Sequence, residues 1–173
     1  MENPEKLLDD TGWHILRELQ QDARLSYAEL GRRVGLSAPA VMERVKRLEE
    51  TGIIAGYHVR INLEMIGVPL MAFVRVANAG DKEAMVEQLA RSLPEVLECH
   101  HVLGQDCYVL KIAVPNVRDF ERILGIFSRH AQTTTSLVLS SPVPQRCIEP
   151  EILGETPADA PGNGQANGTR RLW

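Results

Sequence analysis

No apolar run in the sequence approaches the ~20 residues that a membrane-spanning helix requires, and the charged start MENPEKLLDD is unlike a secretory signal. Cysteine is sparse: the three residues, an odd number, fit reduced thiols, and the expected setting is cytoplasmic, with no membrane partner. Cys99 and His101 share one strand face, and Cys107 follows on the next strand, yet no second ligand pair at zinc spacing accompanies them. Neighbouring His100 and His101 point to opposite faces of a strand and cannot share an ion. No metal site and no cofactor are therefore expected. The chain also lacks a Ser-His-Asp set, a phosphate-cradling loop and an HExxH motif, so nothing in it demands catalysis.

What is present begins with Tyr27 to Gly52, YAELGRRVGLSAPAVMERVKRLEETG, which reads as two short helices meeting at a tight turn. Tyr27, Leu30 and Val34 lie on one helical face, and Gly35 tolerates the positive φ that closes a helix. Ser37 is placed to cap the next helix, an interaction worth about 1 kcal/mol. Pro39 sits in the first turn, where its missing N–H costs nothing. Val41, Val45 and Leu48 form the buried stripe, so Ala38, Pro39, Met42, Glu43 and Lys46 point outward and Arg44 and Arg47 flank them. Small residues at the start of that helix permit close approach to base edges, and flanking basic residues reach phosphates. From Arg32 to Arg60 six basic residues face three acidic ones, a local positive excess on a chain of formal net charge −4. The pattern points to double-stranded DNA, although a helix-turn-helix shape alone does not establish that function.

Upstream, Leu8 to Gln21 presents Leu8, Ile15, Leu16 and Leu19 as one face, with Asp9 or Asp10 suited to the helix start. Downstream, Ile53 to Asn62 is β-branched, alternating and broken by Gly56, which predicts a two-stranded wing carrying Arg60 and His58. At this point the chain resembles the Lrp/AsnC family of bacterial and archaeal transcription regulators. The resemblance rests on Leu8-Asp9 with Ile15-Leu16, on Asp22-Ala23-Arg24-Leu25-Ser26, and on Gly35-Leu36-Ser37. It continues through Arg44-Val45-Lys46-Arg47-Leu48-Glu49 and Gly52-Ile53-Ile54-Ala55-Gly56-Tyr57, and spans roughly residues 8 to 150. It implies a DNA-binding domain joined to an α/β domain that dimerises and senses a small molecule.

The second half supports that reading from its own residues. A strand over Pro69 to Ala77 is followed by a helix over Asp81 to Leu93, ended by Pro94. Strands over Val96 to Leu103 and Asp106 to Val114 are separated by a Gly104-Gln105 hairpin signal. A helix over Val117 to His130 and a strand over Thr134 to Leu139 complete a βαββαβ order. That order is ferredoxin-like (ACT-like), with both helices on one face of an antiparallel sheet, so the other face calls for a partner and predicts a homodimer. Asp106, a carboxylate at a strand start, suits an ammonium group. The resemblance implies that Gly104, Asp106 and the following Tyr108 match the family's effector hairpin, with Thr133, Thr134 and Thr135 as further contacts. It also implies an amino-acid effector and oligomers above the dimer. One departure is His130-Ala131-Gln132 where the family usually has Gly-Val.

The expected organisation is an α+β protein. A winged helix-turn-helix domain covers residues 1–67, with its helix-turn-helix near 28–47, and a ferredoxin-like domain covers 68–149. A disordered tail is expected over 150–173, which is rich in Pro, Gly, Asn and Ala and ends in Arg170-Arg171 before its last two residues. The DNA-binding set is Ser37, Ala38, Pro39, Met42, Arg44, Lys46, Arg47 and Arg60. The function so read is an effector-responsive regulator of the Lrp/AsnC type. Two alternatives share its features: an enzyme like the sirohaem decarboxylases, through His100 and His101, and a nucleoid-type architectural DNA-binding protein.

Overall fold

The computed structural model describes residues 4–77 and 79–154, which form two compact units. One contains the chain up to His58 together with the residues from Gln145 onward; the other is Val59–Pro144. The division falls ahead of the boundary between residues 67 and 68 expected from sequence, and residues 145–149 group with the N-terminal unit and not with the sheet.

Three helices build the N-terminal unit: α1 (Asp10–Gln21), α2 (Tyr27–Val34) and α3 (Ala38–Glu50). Each starts at a side-chain cap. Asp9 accepts the Gly12 N–H at 2.7 Å, Ser26 that of Glu29 at 3.2 Å, and Ser37 that of Ala40 at 3.4 Å. Helix α2 ends on Gly35 at φ 73°, and the Leu36 N–H donates to the Gly31 carbonyl at 2.9 Å, a hydrogen-bond closure that aims the chain into α3. Leu7, Ile15, Leu30, Val41, Val45 and Leu48 form the core of this unit. Burying each aliphatic side chain of this kind contributes roughly 1.5–3 kcal/mol.

The wing expected over Ile53 to Asn62 is absent: no residue from 53 to 62 is in a strand. Two strands need a chain that folds back on itself, and here the first part of the segment is committed elsewhere. Ile53 and Ile54 pack against the three-helix core, the Ile54 N–H donates to the Leu48 carbonyl at 2.9 Å, and the Tyr57 hydroxyl donates to Glu49 at 2.8 Å. Residues 58–62 are left without strand pairing, too few for a hairpin.

In the second unit, β1 (Leu70–Ala77), β2 (Val96–His101), β3 (Asp106–Val114) and β4 (Gln132–Leu137) form one antiparallel sheet in the order β2-β3-β1-β4. With α4 (Glu83–Ser92) and α5 (Val117–Phe127) this is the ferredoxin-like arrangement read from the sequence. Val86, Ala90, Ile123 and Phe127 of the helices pack on Ala72, Val74, Val76, Leu110 and Ile112 of the central strands. The alternating residues Phe73 and Arg75 face away and stay exposed. Part of the expected tail is ordered: Pro150–Leu153 form a 3-10 turn closed by Gly154. Residues 155–173, including Arg170 and Arg171, lie outside the described residues.

Candidate nucleic-acid interface and effector site

Helix α3 presents Pro39, Met42 and Lys46 to solvent, while Ala38, Arg44 and Arg47 are half-buried. Its basic side chains are already occupied within the unit. Lys46 lies 3.5 Å from Glu50 and Arg47 donates to Glu43 at 3.0 Å, both i,i+4 pairs on the surface. Exposed pairs of this kind are worth about 0–1 kcal/mol, little enough for a phosphate to displace the carboxylate.

Arg44 is held differently. Its guanidinium forks onto both oxygens of Asp9 at 2.8 and 2.9 Å, and the same carboxylate caps α1 through Gly12. Arg44 thus ties α3 to the start of α1, and its hydrogen bonds hold the Asp9 carboxyl below the ordinary range. Arg60, expected on a wing, lies beyond His58 in exposed chain and makes no ion pair among the described residues.

On α2, Glu29 takes Arg32 at 2.7 Å and Arg33 at 2.9 Å, and Arg33 also reaches Glu18 at 2.7 Å. The hydrogen bonds from Arg32 and then Arg33 pull the Glu29 carboxyl from its ordinary 4.5 down to about 2. A depressed carboxylate stabilises the fold fully above its unfolded value, and that contribution fades as pH falls toward the folded one. Glu29→Gln is expected to flatten the loss of thermal stability between pH 4.5 and about 2. An identical acid limb in the variant would contradict the pairing.

In the second unit, residues 102–105 join β2 to β3, with Gly104 at φ 148° and the Val102 N–H donating to the Cys107 carbonyl at 3.0 Å. Asp106 opens β3 and lies 3.8 Å from the Arg75 guanidinium. Sequence reasoning passed over Arg75, although a lone charge within the apolar run PLMAFVRVA was the available signal. The register separates the expected effector contacts. Thr133 and Tyr108 both lie opposite Val76, and Thr135 opposite Val74, on the helix-covered face; Thr134 lies opposite Arg75 on the open one. The period of two in a strand makes that split unavoidable for three consecutive threonines.

Tyr108 is buried and its hydroxyl donates to Glu87 at 2.9 Å; burial, then Glu87, push it up to about 12. The His101 ring stacks on it with centroids 4.9 Å apart. Between α4 and β2 these side chains line a groove of about 340 Å³ with Arg91 and Cys99, whose thiol is raised by burial and by Glu87. His100 points to the other face, toward Glu98 at 3.4 Å. No group of three or more metal-ligating side chains comes together among the described residues. No helix among them is long and apolar enough to cross a membrane.

Residues 8–49 match the model of the AsnC-type helix-turn-helix domain, and residues 71–148 that of the Lrp/AsnC ligand binding domain. The chain is 34% identical over 133 residues to the HTH-type transcriptional regulator LrpC of Bacillus subtilis, covering 77% of this chain and 92% of that one. The chain belongs to the Lrp/AsnC family. It is 39% identical over 125 residues to the leucine-responsive regulatory protein of Escherichia coli, covering 70% and 76% respectively. Among solved structures, B. subtilis LrpC superposes with a TM-score of 0.74 at 34% identity, covering 78% of this chain and 96% of that one. A Neisseria meningitidis transcriptional regulator in complex with L-methionine superposes with a TM-score of 0.77 at 30% identity, covering 84% and 99%.

As an Lrp/AsnC DNA-binding transcriptional regulator, the chain carries its helix-turn-helix in α2 and α3. The sheet unit that follows is the region matching the family's ligand binding domain.

Proposed function

We propose that this Lrp/AsnC protein is a sequence-specific regulator that binds DNA as a homodimer and answers to a small-molecule effector, an amino acid. The carrying observation is the solvent-facing set on α3: Pro39, Met42 and Lys46 outward, with Ala38 beside them, above a buried Val41-Val45-Leu48 stripe. Small and unbranched side chains suit entry of the helix start into a major groove, with Ser37, Lys46 and Arg47 at the backbone. The open face of the sheet, with Phe73 exposed at its middle, supports pairing of two copies. A two-fold dimer reads a palindromic operator with half-sites one helical turn or a multiple of it apart. Selection from a random duplex library, followed by the ratio of specific to non-specific affinity at fixed salt, tests this reading. A ratio near one would favour an architectural protein.

The effector reading places the amino acid at the Gly104–Asp106 hairpin, where Asp106 takes the ammonium and Arg75 lies within reach of the carboxylate. It is supported by the match to the family's ligand binding domain. The N. meningitidis regulator and a feast or famine regulatory protein of Mycobacterium tuberculosis, each complexed with L-methionine, add to that support. With the twenty standard amino acids screened one by one for a change in DNA affinity, Asp106→Ala is expected to abolish the response and leave basal DNA affinity unchanged. Such responses correspond to couplings of about 1–3 kcal/mol, or roughly 5–150-fold. A full response in the variant would move the pocket elsewhere.

A further inference from the structure

The chain crosses from the DNA-binding unit into the sheet unit after His58, and it crosses back after Pro144. Where it returns, it docks along α1. The Gln20 carboxamide brackets the backbone of Ile148: its nitrogen donates to the Ile148 carbonyl at 3.0 Å, and its oxygen accepts the Ile148 N–H at 2.7 Å. One side chain thus supplies for a single residue what a neighbouring strand would supply. Arg17, one turn earlier on α1, forks onto Glu149 at 2.7–3.1 Å. The turn at Pro150–Leu153 follows, with Gly154 at φ 76°. Ile148, Ile152 and Leu153 remain more than half exposed, so the dock is polar. It sets a position without burying the apolar area that would make it permanent.

We propose that Gln145–Gly154 is a strap that gives the DNA-binding unit a second tether, covalent at its β4 end and hydrogen-bonded at α1, and that this tether narrows the range of half-site spacings the regulator accepts. A unit tethered at one point by a flexible segment samples a wide range of placements, and its reach follows linker length. A second tether shortens that reach. Both connecting stretches are short: residues 59–69 precede β1, and residues 138–144 follow β4. The inference rests on the dimeric operator reading above.

The test uses the full chain in three forms: unaltered, Arg17→Ala/Gln20→Ala, and with a protease site inserted between Ser141 and Pro142 and cut after folding. The probes are duplexes bearing two copies of the library-selected half-site at varied separation, and a duplex bearing one copy. Hydrogen exchange should find the Ile148 amide protected in the unaltered chain and released in the double variant. The unaltered chain should prefer its best spacing by about tenfold over one shifted by half a helical turn, about 5 base pairs. In the other two forms that preference should fall to within about threefold, with single-half-site affinity unchanged. An unchanged spacing profile, or an unprotected Ile148 amide in the unaltered chain, overturns the strap. An unaltered chain that binds two half-sites no better than one overturns the dimeric operator reading, and the strap with it.

Discussion

Gly31→Ala is expected to destabilise the DNA-binding unit and abolish operator binding, although alanine is the better helix former. In an unobstructed helix interior the exchange gains roughly 0.5–1 kcal/mol. Here the added Cβ would meet the Leu36 carbonyl oxygen at 2.5 Å, with the backbone of Ser37 and Ala38 close behind at 3.4 Å. Backbone cannot rotate away as a side-chain tip can. Leu36 is moreover pinned by its N–H bond to Gly31 itself, and Ser37 by its cap on α3. Overpacking against a fixed neighbour costs about 1–3 kcal/mol and occasionally more, which outweighs the propensity gain. Relief requires α3 to move away from α2, which displaces the surface that reads DNA. Gly12→Ala carries the same sign, since its Cβ would lie 1.8 Å from the Leu7 carbonyl oxygen. Gly125 in α5 is the control: nothing lies within 4 Å of its Cβ position, so Gly125→Ala should stabilise by about 0.5–1 kcal/mol. Denaturant unfolding of the three variants checks the set, and a stabilised Gly31→Ala protein would refute the close approach.

Arg44 and Lys46 are expected to fail in different ways. Lys46→Ala should leave stability within about 0.5 kcal/mol, because its pair with Glu50 is exposed, and should reduce the slope of log affinity against log salt by about one. Arg44→Ala removes two charge-assisted bonds from Asp9 and frees the residue that caps α1. With both groups partly solvent-exposed, the cost is about 1–2 kcal/mol of unfolding free energy. The salt slope should not change, because the guanidinium is spent on Asp9 and not on phosphate. Asp9→Asn should retain the cap and lose most of the charge pairing, giving an intermediate stability. Arg44 counts as a DNA contact only if its removal lowers the salt slope at unchanged stability. Unfolding curves and a salt titration of operator binding, run on the same preparations, separate the two roles.

The legible part of this chain was the part written in local chemistry. Ser37, Gly35 and Pro39 announced the turn and the start of α3 because capping depends on residues three or four apart. The apolar run of β1 and the glycine between β2 and β3 announced the sheet for the same reason. The wing was misread because alternation at Ile53 to Asn62 predicts extended chain equally well whether it pairs or packs, and Ile53 and Ile54 packed. The effector set was legible as residue types but not as a pocket, since strand register places Thr134 apart from Thr133, Thr135 and Tyr108.

The amino-acid sequence by itself determined the helix-turn-helix, the βαββαβ order and the family, because caps, periodicity and motif spacing are properties of neighbouring residues. For Arg44, Arg75 and Arg17, tertiary structure alone decided what the charged side chain does. Arg44 meets Asp9 across 35 residues, Arg75 meets Asp106 across the β1–β3 pairing, and Arg17 meets Glu149 across 132 residues. A guanidinium in a sequence is equally suited to a phosphate, a ligand or a carboxylate. Which of them it meets is settled only when the fold brings distant chain within 3–4 Å, the range over which hydrogen bonds and ion pairs act.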